Sequence, residues 1–89
     1  MPTVKEGQFW TTEWVKGQAE GLGLDVKMYW RQPANGIDWH LEMNARGAQV
    51  LVSIWFLYFK RLDDESKAKI QEIAGQGLKR LEQELQVEA

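Results

Sequence analysis

An α+β fold follows from three patterns in these 89 residues. Leu24–Arg31 and Ile37–Asn44 alternate apolar and polar residues at the period of strands with one buried face. Val50–Phe59 is apolar or aromatic at every position except Ser53, which adds a third strand. From Asp63 to about Val87, Ile70, Ile73, Ala74, Gly77, Leu78, Leu81 and Leu85 recur at helical spacing. With a short helix ahead of the strands, the order is α-β-β-β-α in a single domain. The long C-terminal helix packs on a three-stranded antiparallel meander.

Residues 1–10 read as an N-terminal segment and residues 11–22 as the short helix. Thr11 or Thr12 is placed to cap it, and Glu13 lies where the positive end of the helix dipole favours an anion. Val15, Ala19 and Leu22 share one face, with Trp14 beside them. Gly17 and Gly21 each cost about 1 kcal/mol relative to alanine, so packing must hold this helix. Gly21 and Gly23 end it.

The meander occupies residues 24–59. Val26, Met28 and Trp30 point one way from the first strand, and Lys27, Tyr29 and Arg31 the other. In the second strand, Ile37, Trp39, Leu41 and Met43 oppose Asp38, His40, Glu42 and Asn44. Gln32-Pro33-Ala34-Asn35-Gly36 joins them, with proline setting the first turn position and Asn and Gly tolerating positive φ. Matching apolar partners sets Trp30 opposite Ile37, Met28 opposite Trp39 and Val26 opposite Leu41.

Asn44-Ala45-Arg46-Gly47 leads into the third strand. A type I turn with Gly47 left-handed predicts a G1-bulge hairpin that pairs Asn44 with Ala48 and Leu41 with Leu51. Trp55 then anchors the core, and Val50, Val52, Ile54, Phe56 and Tyr58 form a second apolar stripe beside Asp38, His40 and Glu42. A two-residue loop instead aligns Leu41 with Val50 and puts Leu51, Trp55, Leu57 and Phe59 on that second face. After the strand, Asp63 or Asp64 caps the helix over residues 63–87, and Glu65–Lys69 is a favourable i,i+4 pair.

Composition narrows the function classes. The 13 acidic residues outnumber the 11 Lys and Arg, the pI is near 5.4, and neither half of the chain is basic, so nucleic-acid binding is not expected. The helix–three-strand–helix order is similar to that of double-stranded-RNA-binding domains in element order alone. Asp63-Asp64-Glu65 precedes Ser66-Lys67-Ala68-Lys69 and would repel the phosphates those lysines would need to bind. There is no cysteine, hence no disulfide or thiolate metal site. No signal peptide or membrane-length apolar run is read, and the expectation is a soluble cytoplasmic protein.

Asp38-x-His40-x-Glu42 places three potential metal ligands on one strand face, but strand alternation with Lys27 and Arg31 across the hairpin accounts for them. No nucleophile–base motif or phosphate-cradling loop is visible, so no cofactor, metal or catalytic residue is assigned. The expected function is a non-enzymatic protein–protein interaction module, a homodimer joined through Val50, Val52, Ile54, Phe56 and Tyr58. A C2 contact covers the same patch on both copies, and the third strand also offers a free edge. The alternative is a small-ligand-binding domain with an aromatic pocket built from Trp14, Tyr29 and His40, with Trp10 available for stacking. A metal-assisted enzyme comes third.

Overall fold

The computed structural model describes residues 2–34 and 36–87. Its elements are α1 (Val4–Gly21), β1 (Lys27–Arg31), β2 (Asp38–Ala45), β3 (Ala48–Trp55), α2 (Phe56–Arg61) and α3 (Asp64–Val87). The strands form one antiparallel sheet in the order β1-β2-β3. The α+β architecture expected from the sequence is present, with the N-terminal helix ahead of the sheet and α3 packed on it. The short helix α2 is an addition.

α1 begins seven residues before Thr11, because the cap is Thr3. Its hydroxyl oxygen accepts the Glu6 N–H at 3.1 Å, and Thr3-x-x-Glu6 has the spacing of a capping box. The predicted cap Thr11 is instead fully buried within the helix. Its hydroxyl donates to the Gly7 carbonyl at 2.8 Å, which satisfies the buried oxygen one turn back. The end of α1 was legible. Gly23 at φ +71° allows the Leu24 N–H to reach the Ala19 carbonyl at 2.9 Å and the Gly23 N–H to reach Glu20 at 3.0 Å, a Schellman closure. That closure occupies Leu24, which explains why β1 starts only at Lys27.

Both strand registers differ from those expected, in different ways. β1 and β2 pair Trp30 with Leu41 and Met28 with Met43, four residues away from the Trp30–Ile37 alignment. A shift of four leaves every side chain on its predicted face. β1 ends at Arg31 and β2 starts only at Asp38, with a bond from the Gly36 N–H to the Pro33 carbonyl at 3.1 Å, so no tight turn at the strand ends pins this register. Asn35, assigned to the same turn, lies outside the described residues.

Between β2 and β3 the parity itself is overturned. Arg46 (φ +50°) and Gly47 (φ +84°) are both left-handed and make a two-residue primed turn closed by Ala45 opposite Ala48. Leu41 therefore faces Val52, not Leu51. The two-residue-loop alternative had the right parity, displaced by two. Val50, Val52 and Ile54 are turned into the core and are buried, so they do not form a second surface stripe. Trp55, expected as a core anchor, is on the open face. The physical discriminator is Ser53: the predicted parity would bury its hydroxyl, whereas the observed one leaves it in water and buries three branched aliphatic side chains.

β3 also ends early. Phe56 and Tyr58, expected on the strand, belong to α2, and each is half-buried. Phe59 is fully buried and meets Trp30 edge to face, with ring centroids 5.3 Å apart. Leu62 closes α2 in the left-handed conformation (φ +48°) and donates its N–H to Tyr58 at 3.0 Å. α1 crosses α2 so closely that a Cβ on Gly7 would overlap the Phe59 backbone.

The core lies between the sheet and the helices. Leu41, Met43 and Ile54 from the sheet meet Ile70, Leu78 and Leu81 from α3, with Val15 and Ala19 from α1. α3 reaches the sheet at Gly77, where an added Cβ would strike Val52 and Met43. Its first turn is capped by Asp63, whose Oδ1 accepts the Ser66 N–H at 2.8 Å. Hydrogen bonds from the Ser66 side chain and backbone, with a smaller contribution from Arg61, hold the Asp63 carboxyl below its ordinary value.

In urea denaturation, Gly77→Ala should destabilise the fold by about 1–3 kcal/mol through overpacking. Gly17→Ala, with open space at that position, should stabilise it by roughly 0.5–1 kcal/mol. The lowered carboxyl of Asp63 favours the folded state once pH exceeds the ordinary carboxylate range, and this contribution disappears as pH falls through the lowered value. Asp63→Ala should therefore melt below the wild type at neutral pH, with the gap closing in strong acid.

Candidate functional site

The helices cover one face of the sheet and leave the other open. On the open face, residues line up across the strands as Lys27–Asn44–Gln49, Tyr29–Glu42–Leu51 and Arg31–His40–Ser53, with Asp38 opposite Trp55 beyond them. Tyr29 is 51% exposed, Leu51 43% and Trp55 37%. Glu42, in the middle strand, is buried at 8% exposure although it belongs to the solvent side.

Glu42 is held by donors from all three strands. Arg31 Nε donates to its Oε1 at 3.1 Å, Gln49 Nε2 to the same oxygen at 3.0 Å, and Asn44 Nδ2 to Oε2 at 2.8 Å. Both carboxylate oxygens are engaged, so the group works as a clamp across the sheet. Arg31 itself stays largely in water, its side chain 67% exposed. Among the described residues, no three His, Asp or Glu side chains are grouped to hold a metal ion, and Asp38, His40 and Glu42 are spread along β2.

The residues named for a ligand pocket are not brought together. Tyr29 and His40 lie on the open sheet face, while Trp14 is in the helical layer, lining a groove of about 410 Å³ with Gly75, Lys79 and Glu82. Trp10 lies farther along α1, where the Lys67 ammonium sits 5.5 Å above its ring. Beside it, Phe9 is 67% exposed, the most exposed large apolar side chain described. The sequence reading missed Phe9 by placing it in the N-terminal segment; the Thr3 capping box was the signal that would have put it on a helix face.

The two edges of the sheet differ. β1 is charged at both ends by Lys27 and Arg31, with Asp25 ahead of it and Pro33 just beyond. Such residues are the ordinary protection of an edge strand. β3, Ala-Gln-Val-Leu-Val-Ser-Ile-Trp, has no charge and no proline, and its pairing with β2 runs without a bulge from Ala48 to Trp55. The Phe56 N–H donates to Ile37 at 3.1 Å, so even-numbered residues of β3 bond inward to β2. The main-chain groups of Gln49, Leu51 and Ser53 consequently point to the free edge, joined by the N–H of Trp55, the N-cap residue of α2. No helix among the described residues is long and apolar enough to cross a membrane.

Removing the clamp should loosen the open face. Glu42→Ala is expected to destabilise the fold by about 1–3 kcal/mol in urea denaturation, with Glu42→Gln losing less because it keeps one acceptor oxygen.

No protein-family model matches the chain, and neither a curated protein nor a solved structure does.

Proposed function

We propose that the chain is a non-enzymatic, cytoplasmic self-association module in which two copies join through the free edges of β3. The absence of cysteine is compatible with a reducing compartment. One observation carries the self-association reading: of the two sheet edges, β3 alone carries no charged residue, whereas β1 has Lys27 and Arg31 at its ends. A flat, uncharged strand with unpaired N–H and C=O groups is a template for another strand. A second copy supplies an identical strand, and a two-fold axis closes the contact after one addition instead of allowing a growing fibre. Lys60 and Arg61, just past the strand, oppose further stacking.

The contact differs from the one expected from the sequence. Val50, Val52 and Ile54 support it from the core side, while Leu51 and Ser53 flank it on the open face. The acidic net charge and the engaged Glu42 favour a protein partner over nucleic acid.

Sedimentation equilibrium at micromolar concentration should give twice the 10.3 kDa chain mass. Ser53→Pro removes an edge N–H without touching the β2 ladder, so it should yield a folded monomer, whereas Ser53→Ala should remain dimeric. A wild-type monomer throughout the concentration range, or a dimer that persists in a folded Ser53→Pro variant, overturns the reading.

A further inference from the structure

A pair of strand edges is a narrow contact beside the roughly 1,200–2,000 Å² that stable interfaces bury. A dimer joined at β3 therefore needs a second contact, and α3 is positioned to supply one. Ile70, Ala74, Gly77 and Leu81 are turned toward the buried side of α3. Gly75, Leu78, Lys79 and Glu82 line the groove shared with α1. At about 100° per residue, the flank opposite α1 carries Lys69, Ile73, Gln76, Arg80 and Glu84. All but the half-buried Ile73 are exposed.

Two independent alignments locate the same axis. In the strand, the edge-facing residues all meet when Gln49 opposes the partner's Trp55 and Leu51 opposes the partner's Ser53. That antiparallel register places Val52 on the two-fold axis. In the helix, opposite charges meet when Lys69 opposes the partner's Glu84 and Arg80 falls beside the partner's Glu72 and Ile73. That arrangement places the axis between Gln76 and Gly77. Gly77 is the residue of α3 that sits against Val52.

The spacing agrees as well. Gly77 abuts both Val52 of β3 and Met43 of β2, so α3 runs over the boundary between those strands. With strands about 4.8 Å apart, α3 lies about 2.4 Å inside β3 and the axis about 2.4 Å outside it. The two α3 axes then stand about 10 Å apart, at the upper end of ordinary helix packing. Sliding the helices by one turn sets Lys69 against the partner's Arg80, a like-charge contact that discriminates against that alternative.

Building on the β3 edge contact, we propose that the two-fold axis passes beside Val52 and Gly77. α3 packs antiparallel on the partner's α3, with Lys69 paired to the partner's Glu84 and Arg80 lying along the partner's Ile73. The occupant of the α3 flank is thus a second copy of this chain.

The test is a charge swap read by sedimentation equilibrium, with circular dichroism confirming the fold. Lys69→Glu and Glu84→Lys should each raise the dimer dissociation constant about tenfold, because the axis repeats each change. The double variant should recover wild-type affinity. An equimolar mixture of the two single variants should form heterodimers of wild-type affinity, since both charge pairs are then restored. Single variants that dimerise like the wild type while Ser53→Pro remains monomeric overturn the helix contact and leave the strand contact standing. A wild-type chain that is monomeric throughout overturns both.

Discussion

The two-residue turn at Arg46-Gly47 decides which side of the third strand becomes interior. Because side chains alternate, one more residue in that turn would exchange Val50, Val52 and Ile54 for Leu51, Ser53 and Trp55. The surface under α3 is shaped by that choice. Val52 beside Met43 leaves room for a helix backbone only at glycine, and Gly77 occupies the place. A larger residue would hold α3 away from the sheet and open the layer that Ile70 and Leu81 close. Helix position, core packing and the identity of the solvent face therefore follow from one primed turn.

The second half of the core is organised around Trp30. Its ring meets Phe59 of α2 edge to face, and its indole N–H donates to Thr12 Oγ1 at 3.2 Å. One side chain of β1 thus connects the edge strand to two helices. The close crossing at Gly7 adds a backbone contact to the same junction. These contacts compensate for the weak propensity of a helix that carries Gly7 and Gly17 in its interior.

The legible parts of the sequence were those governed by period. The alternation in β1 and β2 assigned every side chain there to its observed face, and the spacing from Ile70 to Leu81 located α3 and its buried stripe. Register was less legible, because alternation constrains parity and leaves shifts of two or four open, as the Trp30–Leu41 pairing illustrates. Gly47 identified a turn but did not distinguish a three-residue bulge from a two-residue loop; the penalty for burying Ser53 was the available discriminator. Phe56–Phe59 reads as strand in the sequence because an apolar aromatic run has no period to separate a buried strand from a short helix. The free β3 edge was visible in outline, but its contrast with the charged β1 edge required the strand bounds. The clamp on Glu42 was not visible, since only the true register brings Arg31, Asn44 and Gln49 to one carboxylate.

The placement of α1 has a consequence for biosynthesis. Its buried face, at Gly7, Thr11, Val15 and Ala19, packs on elements that lie more than thirty residues later in the chain. During translation α1 leaves the ribosome before α2 or α3 exists, so its apolar stripe has no native partner to meet. The β2–β3 hairpin and α3, by contrast, are neighbours in sequence and can assemble as soon as they emerge. The buried face of α1 is thus covered only after α2 and α3 have been made, and until then it is apolar surface open to other contacts.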